Sequence, residues 1–323
     1  MYKHFYKLQR NPFEITPDPS FLFATKAHNE ALAALYYGVR RHKGFVVLTG
    51  EVGTGKTMLV RCLLQILNKA DIAYAYVFNP RLSPMEFLQY IAGDLRLPTE
   101  RKSKSDLLLD LSSLLIARHQ KGLTTVLVVD EAHHLSAELL EEVRLLTNLE
   151  TAESKLLQIL LVGQPELDEK LDSTDLRQLK QRIALRSHLH SLNLEDTRGY
   201  VYHRLHEAGS KNAEEVFPAE TVAELHRQSR GFPRLVNTLC ENALIHGYAQ
   251  QAQTITPEII QEIAAQFRLN VVHPSASEQS AQEQSTAVER AAKTLLNLFA
   301  NLRNAQDEDE AELRMTASTG AKH

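Results

Sequence analysis

Residues 50–57 read Gly50-Glu51-Val52-Gly53-Thr54-Gly55-Lys56-Thr57 and match the phosphate-loop pattern GxxxxGK[ST] at every fixed position. The context narrows the fold further than the motif does. The apolar run Gly44-Phe45-Val46-Val47-Leu48-Thr49 precedes the loop and reads as a buried strand, and a helical pattern runs from Met58 to Lys69. Glycines let a backbone curl so that successive N–H groups point inward, and the following helix aims the positive end of its dipole at the same spot. A strand, a glycine-rich turn and a helix in that order make an anion cradle at the carboxyl edge of a parallel sheet. The expected roles follow from the chemistry. Gly50 to Gly55, with Met58 just inside the helix, wrap the phosphates of ATP; Lys56 reaches the β- and γ-phosphates; the Thr57 hydroxyl ligates Mg²⁺.

A partner for that loop lies further along. Val126-Leu127-Val128-Val129-Asp130-Glu131 is an apolar strand ending in two carboxylates. Asp130 is expected beside the metal and Glu131 beside the attacking water, the pairing that hydrolysis requires. Strand-like runs at 72–78, 124–129 and 156–162 alternate with helical periods at 58–69, 105–120 and 137–146, and Ser83-Pro84-Met85-Glu86 opens another helix. This alternation predicts an α/β fold, a parallel sheet with helices on both faces. From Leu194 onward the pattern is helical only, near 195–208, 218–229, 234–249 and 257–268. We therefore expect an α/β nucleotide-binding domain at 1–192, a small all-helical domain at 193–270 and a mostly disordered tail at 271–323.

Charge and cysteine usage exclude several classes. The tail holds 5 basic and 8 acidic side chains, so most of the net charge of −4 lies there and the remainder is nearly neutral. A chain that coats nucleic acid by bulk attraction is excluded. Cys62 and Cys240 are too few for a disulfide framework or a four-ligand zinc site. The longest apolar runs fall far short of a bilayer span, and the start, Met1-Tyr2-Lys3-His4-Phe5-Tyr6, has no apolar stretch of the signal-peptide kind. Within the tail, apolar residues at three- and four-residue spacing over 288–302 mark an amphipathic helix that would suit a partner or a membrane surface.

The chain also resembles a family. The loop, Asp130-Glu131-Ala132-His133, the opening Asn11-Pro12-Phe13-Glu14-Ile15-Thr16-Pro17-Asp18-Pro19, His28-Asn29-Glu30-Ala31-Leu32 and Leu161-Val162-Gly163-Gln164-Pro165-Glu166-Leu167 are similar to the ExeA/GspA branch of the AAA+ ATPases over about residues 1–268. The resemblance implies an AAA+ fold with a helical lid over residues 193–270, and it implies further roles. Gln164 would be the sensor-1 residue near the γ-phosphate. Gly231-Phe232-Pro233-Arg234 would present Arg234 as sensor 2, and Leu179-Lys180-Gln181-Arg182-Ile183 would carry an arginine finger at Arg182, with Arg177 and Arg186 as competitors. A finger acts in trans, so the resemblance implies a homo-oligomer, a ring or a filament. Phe5, Tyr6, Pro12 and Phe13 of the opening segment would pack around the adenine or serve as ordinary core.

Classical members of the branch continue through a transmembrane helix into a peptidoglycan-binding domain; neither is found up to residue 323, so a cytoplasmic ATPase, peripheral to the inner membrane, is the expectation. The partner implied is a cell-envelope assembly, secretion, pilus or polysaccharide-export protein. The competing reading is a DNA-binding helper ATPase of the transposition type, for which Arg40, Arg41, His42 and Lys43, or Arg101, Lys102 and Lys104, are the candidate contacts. Asp130-Glu131-Ala132-His133 also spells the helicase string DEAH, but 193–270 is too short for a second motor domain.

Overall fold

Five segments make one parallel sheet in the order β2-β3-β4-β1-β5: β1 Phe45–Gly50, β2 Ala73–Val77, β3 Thr125–Val129, β4 Leu157–Gly163 and β5 Leu185–Leu189. The computed structural model describes residues 2–267 apart from Asp71, Asn79 and Glu153. The proposed tail at 271–323 and its helix at 288–302 lie outside the described residues. The helices are α1 Tyr2–Phe5, α2 Lys26–Arg40, α3 Lys56–Lys69, α4 Pro84–Asp94, α5 Lys104–Gln120, α6 Ala137–Leu146, α7 Glu166–Asp172, α8 Arg177–Lys180, α9 Leu194–Glu207, α10 Ala213–Val216, α11 Ala219–Ser229, α12 Pro233–Ala249 and α13 Pro257–Gln266.

Strand periodicity explains why the central strands are apolar throughout. Phe45, Val47, Leu127, Val129, Ile159 and Leu161 face a cluster filled by α4, α5, α6 and α7. Their neighbours Val46, Leu48, Val126, Val128, Leu160 and Val162 face the opposite cluster, built on α2 and α3. A strand covered on both faces has no solvent side to alternate with. Helix starts are fixed locally: Ser83 and Ser103 accept from the amides of Glu86 and Asp106, whose carboxylates accept in return from the serine amides.

The all-helical part, α9 to α13, surrounds a third cluster that includes Val201, Leu205, Phe217, Leu225, Leu239 and Ile260. The opening segment packs here and not around the sheet: Tyr2, Tyr6, Leu8, Phe13 and Phe21 belong to this cluster. Arg204 of α9, 3% exposed, fixes that segment by donating to the carbonyls of Pro12 and Glu14. The entry to α12 is locked to the end of the sheet region. Leu192 N–H donates to Gly231 O at 2.9 Å. Gly231 has φ +73°, and a Cβ there would sit 1.9 Å from Leu192 O. Only glycine fits so close an approach.

Strand β5 and helix α2 were not read from the sequence, and neither were the short helices α1, α7, α8 and α10. Strand β5 carries Arg186 and His188 on its exposed side and has no apolar run, because it is the sheet edge beside β1. Helix α2 buries His28, Ala31, Leu35, Gly38 and Val39, a stripe diluted by a histidine and a glycine.

Candidate functional site

The sheet brings the loop after β1 beside the end of β3, as adjacent carboxyl edges in a parallel sheet require. Gly55 caps α3 in the left-handed region at φ +98°, and helix α3 begins at Lys56. Lys56 is buried, and its ammonium donates to the carbonyls of Gly50 (2.6 Å) and Glu51 (2.9 Å). Burial pulls its pKa below the ordinary lysine value, while the carboxylates of Glu131, Asp130 and Glu51 oppose that pull. It is a cation without a direct ion pair among the described residues, held at the centre of an anion cradle.

Asp130 is 4% exposed and fully engaged. Thr57 Oγ1 donates to its Oδ2 at 3.2 Å, Tyr76 OH donates to the same oxygen at 2.8 Å, and the Glu131 amide donates to Oδ1 at 2.9 Å. Burial, and then the Asp130 carboxylate, push the Tyr76 phenol well above its ordinary pKa, so it stays a donor. Tyr76 was not read from the sequence; it sits in β2, one strand over, where only register reveals that it reaches Asp130.

Glu131 lies in the left-handed region, φ +51°, and His133 joins it to Gln164. The Gln164 backbone N–H donates to His133 Nδ1 at 3.4 Å, its side-chain amide lies 2.9 Å from His133 Nε2, and Glu131 Oε2 lies 3.5 Å from Nδ1. Burial, then the neighbouring His134, lower the His133 pKa and favour the neutral ring. The sequence singled out Glu131 and Gln164 but gave His133 no role here.

From the helical side, the Arg234 amide donates to Gly53 O at 3.2 Å. Gly53 has φ +82°, and a Cβ there would meet Arg234 Cβ at 2.8 Å. The cradle is therefore closed over by the first turn of α12. One cavity of about 360 Å³ runs from Val52–Met58, Glu131 and Gln164, past Arg234, to an apolar end at Ile15, Pro17, Phe21 and Phe23. Residues 14–17 and 21–23 line this end, whereas Tyr6 and Phe13 are core and Phe5 packs against them. His28 stands behind the loop, with Nε2 3.3 Å from Thr54 O and Nδ1 2.7 Å from Thr25 Oγ1.

Arg182 is elsewhere: it donates to Thr147 Oγ1 and does not line the cavity. Of its competitors, Arg186 pairs with Asp168 (3.1 Å) and Asp172 (3.4 Å), and Arg177 is exposed.

These residues fit a magnesium–triphosphate group. A glycine-lined cradle that a Cβ would fill, a buried ammonium and a hydroxyl–carboxylate pair supply donors, charge and hard oxygen ligands in one cavity. Among the described residues no helix is long and apolar enough to cross a membrane.

Comparison with known proteins agrees with this geometry. Residues 39–171 match the family model described as "AAA domain". The chain is 45% identical over 256 residues to General secretion pathway protein A of Aeromonas hydrophila, an alignment covering 79% of this chain and 46% of that protein. It thus spans about half the length of that curated relative. Among solved structures, ORC2 of Aeropyrum pernix, in ADPNP and ADP complexes, aligns with TM-score 0.60 at 16% identity, covering 80% of this chain and 71% of that one. Drosophila ORC bound to DNA aligns with TM-score 0.61 at 19% identity, covering 86% and 67%. At such identities they speak for the fold alone. The chain thus carries an AAA domain of P-loop ATPase fold and is related to General secretion pathway protein A over 79% of its length.

Proposed function

We propose that the chain is a Mg²⁺-dependent ATPase that works as an oligomer on a cell-envelope secretion or assembly partner. The observation that carries the nucleotide chemistry is the meeting of Lys56, the Thr57–Asp130 pair, Glu131 and Gln164 in one cavity closed by α12. A cation held by Thr57 and Asp130 would, when bound, neutralise charge on the phosphate oxygens. Lys56 exchanges its two loop carbonyls for phosphate oxygens. Glu131 accepts the proton of the attacking water, and Gln164 orients that water near the γ-phosphate. Arg234 reports the phosphate state to α12, so that residues 193–270 act as a lid on the domain at 1–192. Arg182 of a neighbouring copy would stabilise the transition state. The envelope partner, and a cytoplasmic location peripheral to the inner membrane, follow from the likeness to General secretion pathway protein A.

The test is phosphate release against protein concentration. The rate per chain should rise with concentration in the presence of Mg²⁺. Glu131→Gln should bind ATP as the wild type does and lose turnover by about 100-fold or more. Wild-type turnover in that variant would remove Glu131 from its role.

One observation favours a second reading, ATP-dependent DNA binding. At the end of α2, Arg40, Arg41 and Lys43 are exposed beside Tyr37, with no carboxylate in ion-pair range among the described residues. DNA binding that weakens with salt and appears only with ATP would support it.

A further inference from the structure

We infer that Asn237 is a nucleoside-contacting residue, held by a buried relay so that its amino group faces the ligand. The inference rests on the nucleotide reading of the cavity and adds to it a contact that the sequence motifs do not assign.

The argument begins with what each group can do. A guanidinium only donates. Arg204 Nη1 therefore donates to Tyr200 OH at 2.9 Å, and the Tyr200 oxygen is the acceptor. The phenol has one proton left to give, and it goes to Asn237 Oδ1 at 2.8 Å. An amide is ambiguous end to end until its neighbours decide, and here they decide. Oδ1 is spent on Tyr200, so the Nδ2 amino group, a pure donor, points the other way. It has no protein acceptor among the described residues. Asn237 is only 7% exposed, and what it opens onto is the cavity.

All three members are more than nine-tenths buried, at 3% for Arg204 and 7% for Tyr200 and Asn237. The relay is rigid at its far end too, because Arg204 also holds the Pro12 carbonyl. The amino group is not sealed from solvent but reaches the cavity, where a ligand acceptor can take the place of water.

Position identifies which part of the ligand. Arg234 sits on the phosphate loop through Gly53. Asn237 is three residues on, on the same face of α12, roughly 4.5 Å further along the axis. That displacement leaves the phosphate end for the region between the cradle and the apolar residues Ile15 and Phe23. The acceptor is a nucleoside one, either a ribose hydroxyl oxygen or a purine ring nitrogen. Both share the chemistry of a neutral acceptor, and nucleotide analogues separate them.

The experiment is calorimetric binding to the full chain of ATP, inorganic triphosphate, 2′-deoxy-ATP, 3′-deoxy-ATP, 3-deaza-ATP and 7-deaza-ATP. The proteins are wild type, Lys56→Ala, Asn237→Ala and Asn237→Asp, each checked by far-UV circular dichroism. Asn237→Ala should weaken ATP about five- to tenfold, the worth of one neutral hydrogen bond, and leave inorganic triphosphate unchanged. One analogue should lose the same factor on the wild type and nothing further on Asn237→Ala. If the alanine variant is unfolded, Asn237→Asp makes the same comparison. It keeps the bond to Tyr200 and loses the donor, so it should bind ATP and that analogue equally.

ATP binding by Asn237→Ala within twofold of wild type overturns the inference. So does equal loss for inorganic triphosphate, or a wild type indifferent to every analogue. A wild type that binds no ATP, or Lys56→Ala that binds it normally, would instead overturn the nucleotide reading beneath.

Discussion

At the scale of single residues, the side chain with most to tell is His133. It joins Gln164 to Glu131 without lining the cavity itself, so it acts by placing both groups. Replacing it with alanine should lower turnover about tenfold while ATP affinity stays put, the pattern of a contact needed only in the transition state. Steady-state kinetics beside a binding titration would show it, and a matching loss of affinity would argue for a merely structural ring. Lys56, Thr57, Asp130 and Glu131 were legible because spacing along the chain placed them. Tyr76, His133 and the Arg204–Tyr200–Asn237 relay were not, because their partners lie 54, 31 and between 4 and 37 residues away in sequence. Nothing in a linear string records that β2 lies alongside β3, or that α9 meets α12.

At the scale of elements, the contact between Gly231 and Leu192 fixes where α12 begins. Gly231→Ala would bring a methyl into the Leu192 carbonyl, and the bond from Leu192 N–H to Gly231 O would have to open. We expect a stability loss of about 1–3 kcal/mol, read as a lower thermal midpoint, with a larger fractional loss of ATP affinity because Arg234 moves with the helix. An unchanged midpoint would mean that the turn relaxes without disturbing α12. The central strands and the long helices other than α2 were readable in the sequence, since burial on both faces and a clean helical period leave strong patterns. The edge strand β5, with Arg186 and His188 facing out, leaves almost none.

At the scale of the whole molecule, buried histidines set a pH limit. Burial lowers the pKa of His28 and His133, and partial burial that of His226, below the ordinary value near 6.5. The folded chain thus favours their neutral form, and the unfolded chain takes up protons first as pH falls. The stability they contribute is complete above about 6.5 and is lost as pH drops through their folded values. Thermal midpoints should fall between about pH 7.5 and pH 5.5, before the exposed carboxylates of Glu86 and Asp106, held low by Ser83 and Ser103, begin to titrate. A flat profile over that window would show that the rings are solvated in solution.

The packing of residues 2–23 into the helical cluster has a practical corollary. The stretch that matches the AAA family, 39–171, omits β5, most of α2 and every side chain at the apolar end of the cavity. Excising it for expression would strip β1 of one neighbour and leave the cradle without its roof. Even a start at Lys26 would empty the slots of Phe13 and Phe21 and abandon the guanidinium of Arg204 in a greasy hole. The smallest piece worth cloning begins at the first tyrosine.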